Sequence, residues 1–579
     1  MASKHSPERI ALLLALLLGG CRSDGDDIQQ ILEAGINAPE PSQDWHQGPP
    51  VALDDNGPAR YVHALLTAFD AERAMETVVF ADRYYRAPAN DGYMAVIDHL
   101  VERLGNAGFG GDDGRLELRE ITGAMDTPSW TPRSGSLELL VPGAEPLVLH
   151  AFEMGCEPDR TILPLGAPSC DVTGRVRFGL DQLEPGDILV TNAELSQVFA
   201  RARNRGAAAV VSSFLQPFNV DPTGQQRHLD AIHYLRLPEP SQLPVAQISP
   251  RSMQAIRAAD QASTEGVGLH FRAKVDLKQR PMRTLVATIR GQVRPDECVV
   301  SAAHIQEPGA GDNASGVGGL LEGAVSLSRA LRAGTIEWPD RSLVFVWGDE
   351  YAQTETWIED TELTPIAGIS SDMVGNSPER TGSRALIERN PDPGALNPLY
   401  PDEHTPWGAG EVDRSMVHPN GLAVIARCAM IDVGLASGGW STADHPWEGG
   451  SDHDVFAFRG IPALLLWHFT DFTYHTSLDR LDMVDAAELE RTEVVVLATM
   501  LAVADPRPID LDRYVRSMEL ERGVRVAAAE EADKVFLVEA WNDWCRGATG
   551  WLRAECLRIP IEEALPPRPR PKPEAGANE

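Results

Sequence analysis

The stretch CVVSAAHIQEPGAGDNASGVGGLLEGAVSLSRALRAG, Cys298 to Gly334, decides how the rest of the chain is read. It opens on an unbroken run of small and β-branched residues, the texture of a strand buried on both faces. It ends in a helical segment closed by Gly334. Between them lies a glycine-rich loop with His304 at its start and Asp312 eight positions later. A metal-capable imidazole and a carboxylate are thus placed at the end of a buried strand, and glycines give the backbone room to turn both toward one cavity.

The same texture recurs outward from this unit. TLVATIRG, SLVFVWG, IAGISSD and IPALLLWHF are short β-rich runs separated by helical or loop segments. Alternation of this kind predicts an α/β fold, a mixed and mostly parallel central sheet flanked by helices, over residues 277–503. The section closes with AAELERTEVVVLATMLAVAD, read as an amphipathic helix. Upstream, residues 48–133 read as the N-terminal part of the same domain, helical from Tyr61 to about Gly108. Downstream, 504–562 read as a helical extension carrying Trp541, Trp544 and Trp551, and 563–579 as a Pro-rich disordered tail.

Residues 134–276 differ. SLELLV, PLVLHAF and GRVRFGL read as strands between turns, and PGDILVTNAELSQVFARARNRGAAAVVSSF as strand, helix, strand. This segment resembles a protease-associated domain, a small β-rich module inserted into exported peptidases.

The chain has 579 residues and a formal net charge of −34, from 85 acidic and 51 basic residues. Such a field repels nucleic acid and anionic surfaces, so nucleic acid is not an expected partner. The length implies several domains. At the N-terminus, Lys4, His5 and Arg9 precede the apolar run Ile10–Leu18, which is too short to span a bilayer. It leads into LGGC, which resembles the lipobox of bacterial lipoproteins. The resemblance implies a signal peptide over 1–20, lipidation of Cys21, a tether over 21–47, and an exported protein held to the cell envelope by lipid. Six further cysteines in an exported chain suggest disulfides, with Cys156–Cys170 and Cys545–Cys556 as plausible local pairs.

The metal-capable side chains cluster at strand ends. His304 follows CVVSAA, Glu350 follows SLVFVWG with Asp349 beside it, and Asp372 closes IAGISS. Asp312 opens the next helix, and His475 follows IPALLLWHF by one short loop. Sites of open α/β sheets form at the carboxyl ends of strands. Histidines and carboxylates without thiolates suit zinc in a catalytic site, and a pair of ions needs a bridging carboxylate, for which Asp312 is the candidate.

The ordered pieces AAH, GAGDNASGVGGLLEGA, FVWGDE, SSDMVG, GGSDHDVFAFRGIPALLL and YHTSLDRLDMVD resemble the di-zinc exopeptidase family, which includes secreted bacterial aminopeptidases, glutamate carboxypeptidases and the transferrin receptor. The resemblance implies two Zn2+ per chain and peptide substrates. It implies that Asp312 bridges the ions, that His304 and Asp372 hold one and Glu350 and His475 the other, and that Asp349 is the general base. Ser451, Asp452, His453 and Tyr474 are implied to support the ligands or meet substrate. Two positions depart from the family. Gln306 stands where an Asp usually orients the first histidine, and Asp349 stands where the base is usually the longer Glu. Aminopeptidase is the favoured activity. Carboxypeptidase, a glutaminyl-cyclase-like reaction and a non-catalytic binding protein are the alternatives. The long loop LIERNPDPGALNPLYPDEHTPWGAG is expected to shape the substrate pocket with Trp407, Trp440 and Trp447.

Overall fold

The computed structural model describes residues 53–112, 114–153, 161–237 and 243–566. Cys21, the tether, Cys156 and nearly all of the Pro-rich tail lie outside the described residues. In chain order the first strands are β1 (Leu116–Gly123), β2 (Ser129–Leu140), β3 (Leu147–Glu153), β4 (Cys170–Arg177), β5 (Ile188–Thr191), β6 (Ala209–Ser212), β7 (Val245–Gln247) and β8 (Gly268–Lys278). They continue as β9 (Met282–Ile289), β10 (Arg294–His304), β11 (Arg341–Gly348), β12 (Thr364–Ser371), β13 (Arg384–Glu388), β14 (Thr442–His445) and β15 (Ala463–Phe469).

Two sheets result. The larger runs β1-β9-β11-β10-β12-β15-β13-β14, and the smaller β3-β2-β8-β4-β5-β6-β7. In the larger, β11, β10, β12 and β15 are parallel neighbours, with antiparallel pairings toward the edges. The fold is therefore the mixed α/β architecture expected from the sequence. The parallel register sets His304 level with Gly348, so β10 and β11 deliver their next residues to one edge.

The Ala486–Ala504 helix departs from its expected amphipathic role. Almost every residue of it is buried, including Arg491, Glu493 and Thr499. It packs against the helices Ala59–Ala68, Ala71–Asp82, Ala314–Ala333 and Leu422–Ala436 as well as the sheet, so it has no solvent face to make polar. The N-terminal helical stretch divides into Ala59–Ala68, Ala71–Asp82 and Asp91–Asn106, the last two capped by the side chains of Asp70 and Asn90.

The expected Cys545–Cys556 disulfide does not form. Both residues lie on the Val535–Leu557 helix as free, buried thiols. Eleven helical steps separate them by about 16 Å, far beyond the reach of a disulfide. The Cys156–Cys170 pair falls partly outside the described residues. Trp440 and Trp447 are structural. The Trp440 indole donates to Glu488 at 2.8 Å, and the buried Trp447 indole to Asp454 at 2.9 Å. No helix among the described residues is long and apolar enough to cross a membrane.

Candidate metal centre

His304 ends β10 with 1% of its side chain exposed. Its Nδ1 donates to the backbone carbonyl of Gln306 at 2.9 Å, which fixes the tautomer and leaves Nε2 as a lone-pair donor aimed inward. That Nε2 lies 3.2 Å from Asp372 Oδ2, 3.7 Å from Asp312 Oδ1 and 3.9 Å from Glu350 Oε1. The Gln306 side chain does not orient the imidazole, the task its position suggested. It pairs with Glu350 instead, accepting from the Glu350 amide at 2.7 Å and donating to its carboxylate at 3.2 Å.

Asp312 is held by its backbone. The buried Asp479 carboxylate accepts from the amides of Gly311 at 2.6 Å and Asp312 at 2.9 Å. A methyl group at Gly309 or Gly311 would collide with that carboxylate. These glycines thus serve close approach more than an unusual backbone angle, which sharpens the sequence reading. Asn313 caps the Ala314–Ala333 helix through the Gly316 amide, accepts from Met373 and donates to the Ser371 carbonyl. The Asp312 loop and the Asp372 strand end therefore move as one piece.

Ser451 donates to Asp372 at 2.9 Å. Asp452, fully buried, braces the turn after β11 by accepting from the Tyr351 amide, Gln353 and Thr354. His453 contacts Glu388 at 2.8 Å. His475 stacks on Tyr474, with ring centroids 3.9 Å apart, and meets Tyr234 edge-on. Its Nε2 lies 3.0 Å from Asp312 Oδ2 and 2.9 Å from Glu307 Oε2.

Three groups among the described residues have their donor atoms within 4.8 Å of one another, and two of them lie here: His304, Glu350 and Asp372, and Glu307, Asp312 and His475; the third is Glu388, His445 and Glu448. All five ligands inferred from sequence are brought together. Their partition differs, because Glu350 groups with His304, and Glu307 joins His475. Glu307 was missed because its motif neighbourhood carries no expectation of an acid there. Asp479 and Arg86 were missed because their roles are long-range contacts to backbone.

The cluster has the electrostatics of a cation site. Burial alone would pull the His304 imidazole down, yet Asp372, Glu350 and Asp312 outweigh it and hold it well above the usual value. Burial raises the Glu350 carboxyl well above the ordinary range, and Glu307, Asp372 and Asp452 add to this. Burial and the Glu307 carboxylate likewise push Asp312 up. His304 Nε2, Asp312 Oδ1 and Asp372 Oδ1 are buried with no hydrogen-bond partner among the described residues. Orphaned donor atoms converging from three elements fit a divalent metal, and the nitrogen–oxygen set fits zinc.

A cavity of about 580 Å³ opens onto this cluster. One wall carries Gln306, Glu307, Asp349, Glu350 and His475; the other comes from the smaller sheet's segments, including Phe214, His233 and Arg236. No residue of the loop 386–410 lines it, so that loop does not form the wall expected of it. The smaller unit also grips the His475 loop. Asn219 donates to the carbonyls of Phe472 and Tyr474 at 3.0 Å, and the Tyr234 amide donates to the His475 carbonyl at 2.7 Å. Burial lifts the Asp349 carboxyl to about 6, with Arg236 and His304 pulling it back.

No protein-family model matches the chain. It is 25% identical over 464 residues to the protein of Mycobacterium tuberculosis described as "Probable lipoprotein aminopeptidase LpqL", an alignment covering 72% of this chain and 80% of that protein. Among solved structures, BSAP, a zinc aminopeptidase from Bacillus subtilis, superposes with a TM-score of 0.51 at 14% identity, covering 76% of this chain and 96% of that one. A peptidase M28 precursor from Shewanella amazonensis gives 0.52 at 16% identity, covering 77% and 97%. At these identities the structural likeness establishes a shared fold.

Proposed function

We propose that this chain is a di-zinc metallo-exopeptidase, an aminopeptidase, exported and tethered through a lipid on Cys21. The observation that carries the reading is the pair of histidine–carboxylate groups meeting at Asp312 beneath one cavity. The likeness to LpqL supports both the peptidase activity and the lipoprotein assignment, and the BSAP fold supports zinc. The protease-associated reading of the smaller unit is supported by its place against the cavity.

His304, Asp372 and Glu350 would hold one ion and His475 with Asp312 the other, Asp312 reaching both. When bound, such a pair acts as a Lewis acid and acidifies water at neutral pH. The chain's own residues do the rest. Asp349, lifted toward neutrality by burial, takes the proton from the attacking water and returns it to the departing amine. Gln306 holds the Glu350 carboxylate, and Ser451 the Asp372 carboxylate, so neither swings away. The acid-rich wall attracts the α-amine of a peptide, and the opposite wall restricts entry to a chain end.

One observation favours carboxypeptidase as the second reading: the exposed Arg236 on the cavity wall can take a substrate carboxylate. A panel of aminoacyl and N-blocked peptides, with and without chelator and beside Asp312→Ala and Asp349→Glu, separates these. Aminopeptidase predicts cleavage of free-amine substrates only. Cleavage of N-blocked peptides that Arg236→Ala abolishes would select the second reading. Activity surviving both chelation and Asp312→Ala would reject both.

A further inference from the structure

Glu307 is the residue of this centre that neither the motif nor the fold accounts for. Its backbone sits at φ 87°, a region that side-chain-bearing residues rarely occupy. The conformation is built in. The Glu307 amide donates to the Arg86 carbonyl at 2.9 Å, and the fully buried Arg86 guanidinium donates to the carbonyls of Ala81 at 2.8 Å and Ile305 at 2.9 Å, and to that of Gly309. A buried cation thus nails down the loop on both sides of Glu307. The result is a carboxylate oxygen 2.9 Å from His475 Nε2, on the same atom that Asp312 Oδ2 approaches at 3.0 Å. The other Asp312 oxygen is buried and has no hydrogen-bond partner. Glu350, the carboxylate that the family resemblance pairs with His475, is drawn toward His304 and tied to Gln306.

We infer that Glu307 is a direct metal ligand that completes the His475 half of the centre. Each half then offers one imidazole and two carboxylates, which balances one divalent charge in a buried setting. A donor set this rich in carboxylate takes Mn2+ as well as Zn2+. The inference rests on the metal-centre reading above.

The test is metal binding by the full chain, without turnover. Mn2+ is titrated by loss of its free-ion EPR signal, and Zn2+ by competition with a chromophoric chelator, for the wild type, Glu307→Gln and Glu307→Asp. Two equivalents are expected for the wild type. Both variants are expected to weaken one equivalent by about tenfold or more and spare the other, with Mn2+ affected more than Zn2+. Metal-free melting temperatures read in excess chelator check the fold; Glu307→Asp, which keeps the charge, covers the case in which Glu307→Gln does not fold. Two equivalents bound by both variants with wild-type affinity would overturn the role of Glu307 and leave the proposed function standing. A wild type that binds neither ion would bring down both.

Discussion

Asp349 is where a one-methylene difference carries the most weight. Its carboxyl, raised to about 6 by burial and eased down by Arg236, must be ionised to act as a base. Turnover should therefore fall as pH drops through about 6, and Arg236→Gln should move that acid limb to higher pH. An acid limb that stays put in the variant would show that Asp349 is not the titrating base. Asp349→Asn should cost on the order of 10²–10⁴ in kcat while leaving bound metal unchanged. The sequence disclosed five residues that the structure brings together, because each follows a recognisable strand at a short interval. It concealed what holds them. Asp479 touches the Asp312 loop across 167 residues, Arg86 the Glu307 loop across more than 200, and Gln306 turned to Glu350 when its position pointed to His304. Contacts to backbone at such separations leave no local pattern to read.

Elements set how rigidly the centre is presented. Asn313 links the Ala314–Ala333 helix to the end of β12 by three hydrogen bonds, all buried. Asn313→Ala should cost about 2–3 kcal/mol, read as a lower denaturation midpoint, and should loosen metal as well. The Ala486–Ala504 helix gives a pH signature. Burial raises the Glu493 carboxyl to about 8, where the Ser371 hydroxyl donates to it. A folded value above the unfolded one means the native state holds the proton more tightly. That stability is complete below the ordinary carboxyl range and is lost as pH rises to about 8. Urea melts of metal-free protein at pH 5 and pH 8.5 should differ for the wild type and much less for Glu493→Gln. Equal differences in the two proteins would refute the assignment. This helix was legible as a helix, but not as the buried centre of the helical layer, because burial on every side depends on four helices distant in sequence. The short strands β13 and β14 at one side of the larger sheet were likewise hidden, β13 because it runs into the Pro-rich loop read from Leu386.

At the scale of the molecule, two sheets share one cavity, and the smaller unit does more than cover it. Asn219 and Tyr234 fasten the segment that carries His475, so one proposed metal ligand is positioned by a module on the far side of the pocket. Asn219→Ala should therefore weaken metal retention at the His475 half, read by dialysis against chelator, without touching any ligand. A two-walled entrance also predicts that short peptides are processed and folded proteins are not; equal rates on a compact, natively folded protein and on tripeptides would contradict that. The strand texture of the sequence changes near residue 134 and the smaller sheet begins at Ser129, whereas the clamp between the units leaves no mark in the sequence, since it is made of backbone carbonyls. The most direct measurement of the central claim is anomalous diffraction at the zinc edge from crystals of active protein. The account predicts two zinc peaks in the cavity, one on the His304 side and one on the His475 side of the Asp312 carboxylate. A map from active crystals with no peak between those histidines would contradict it.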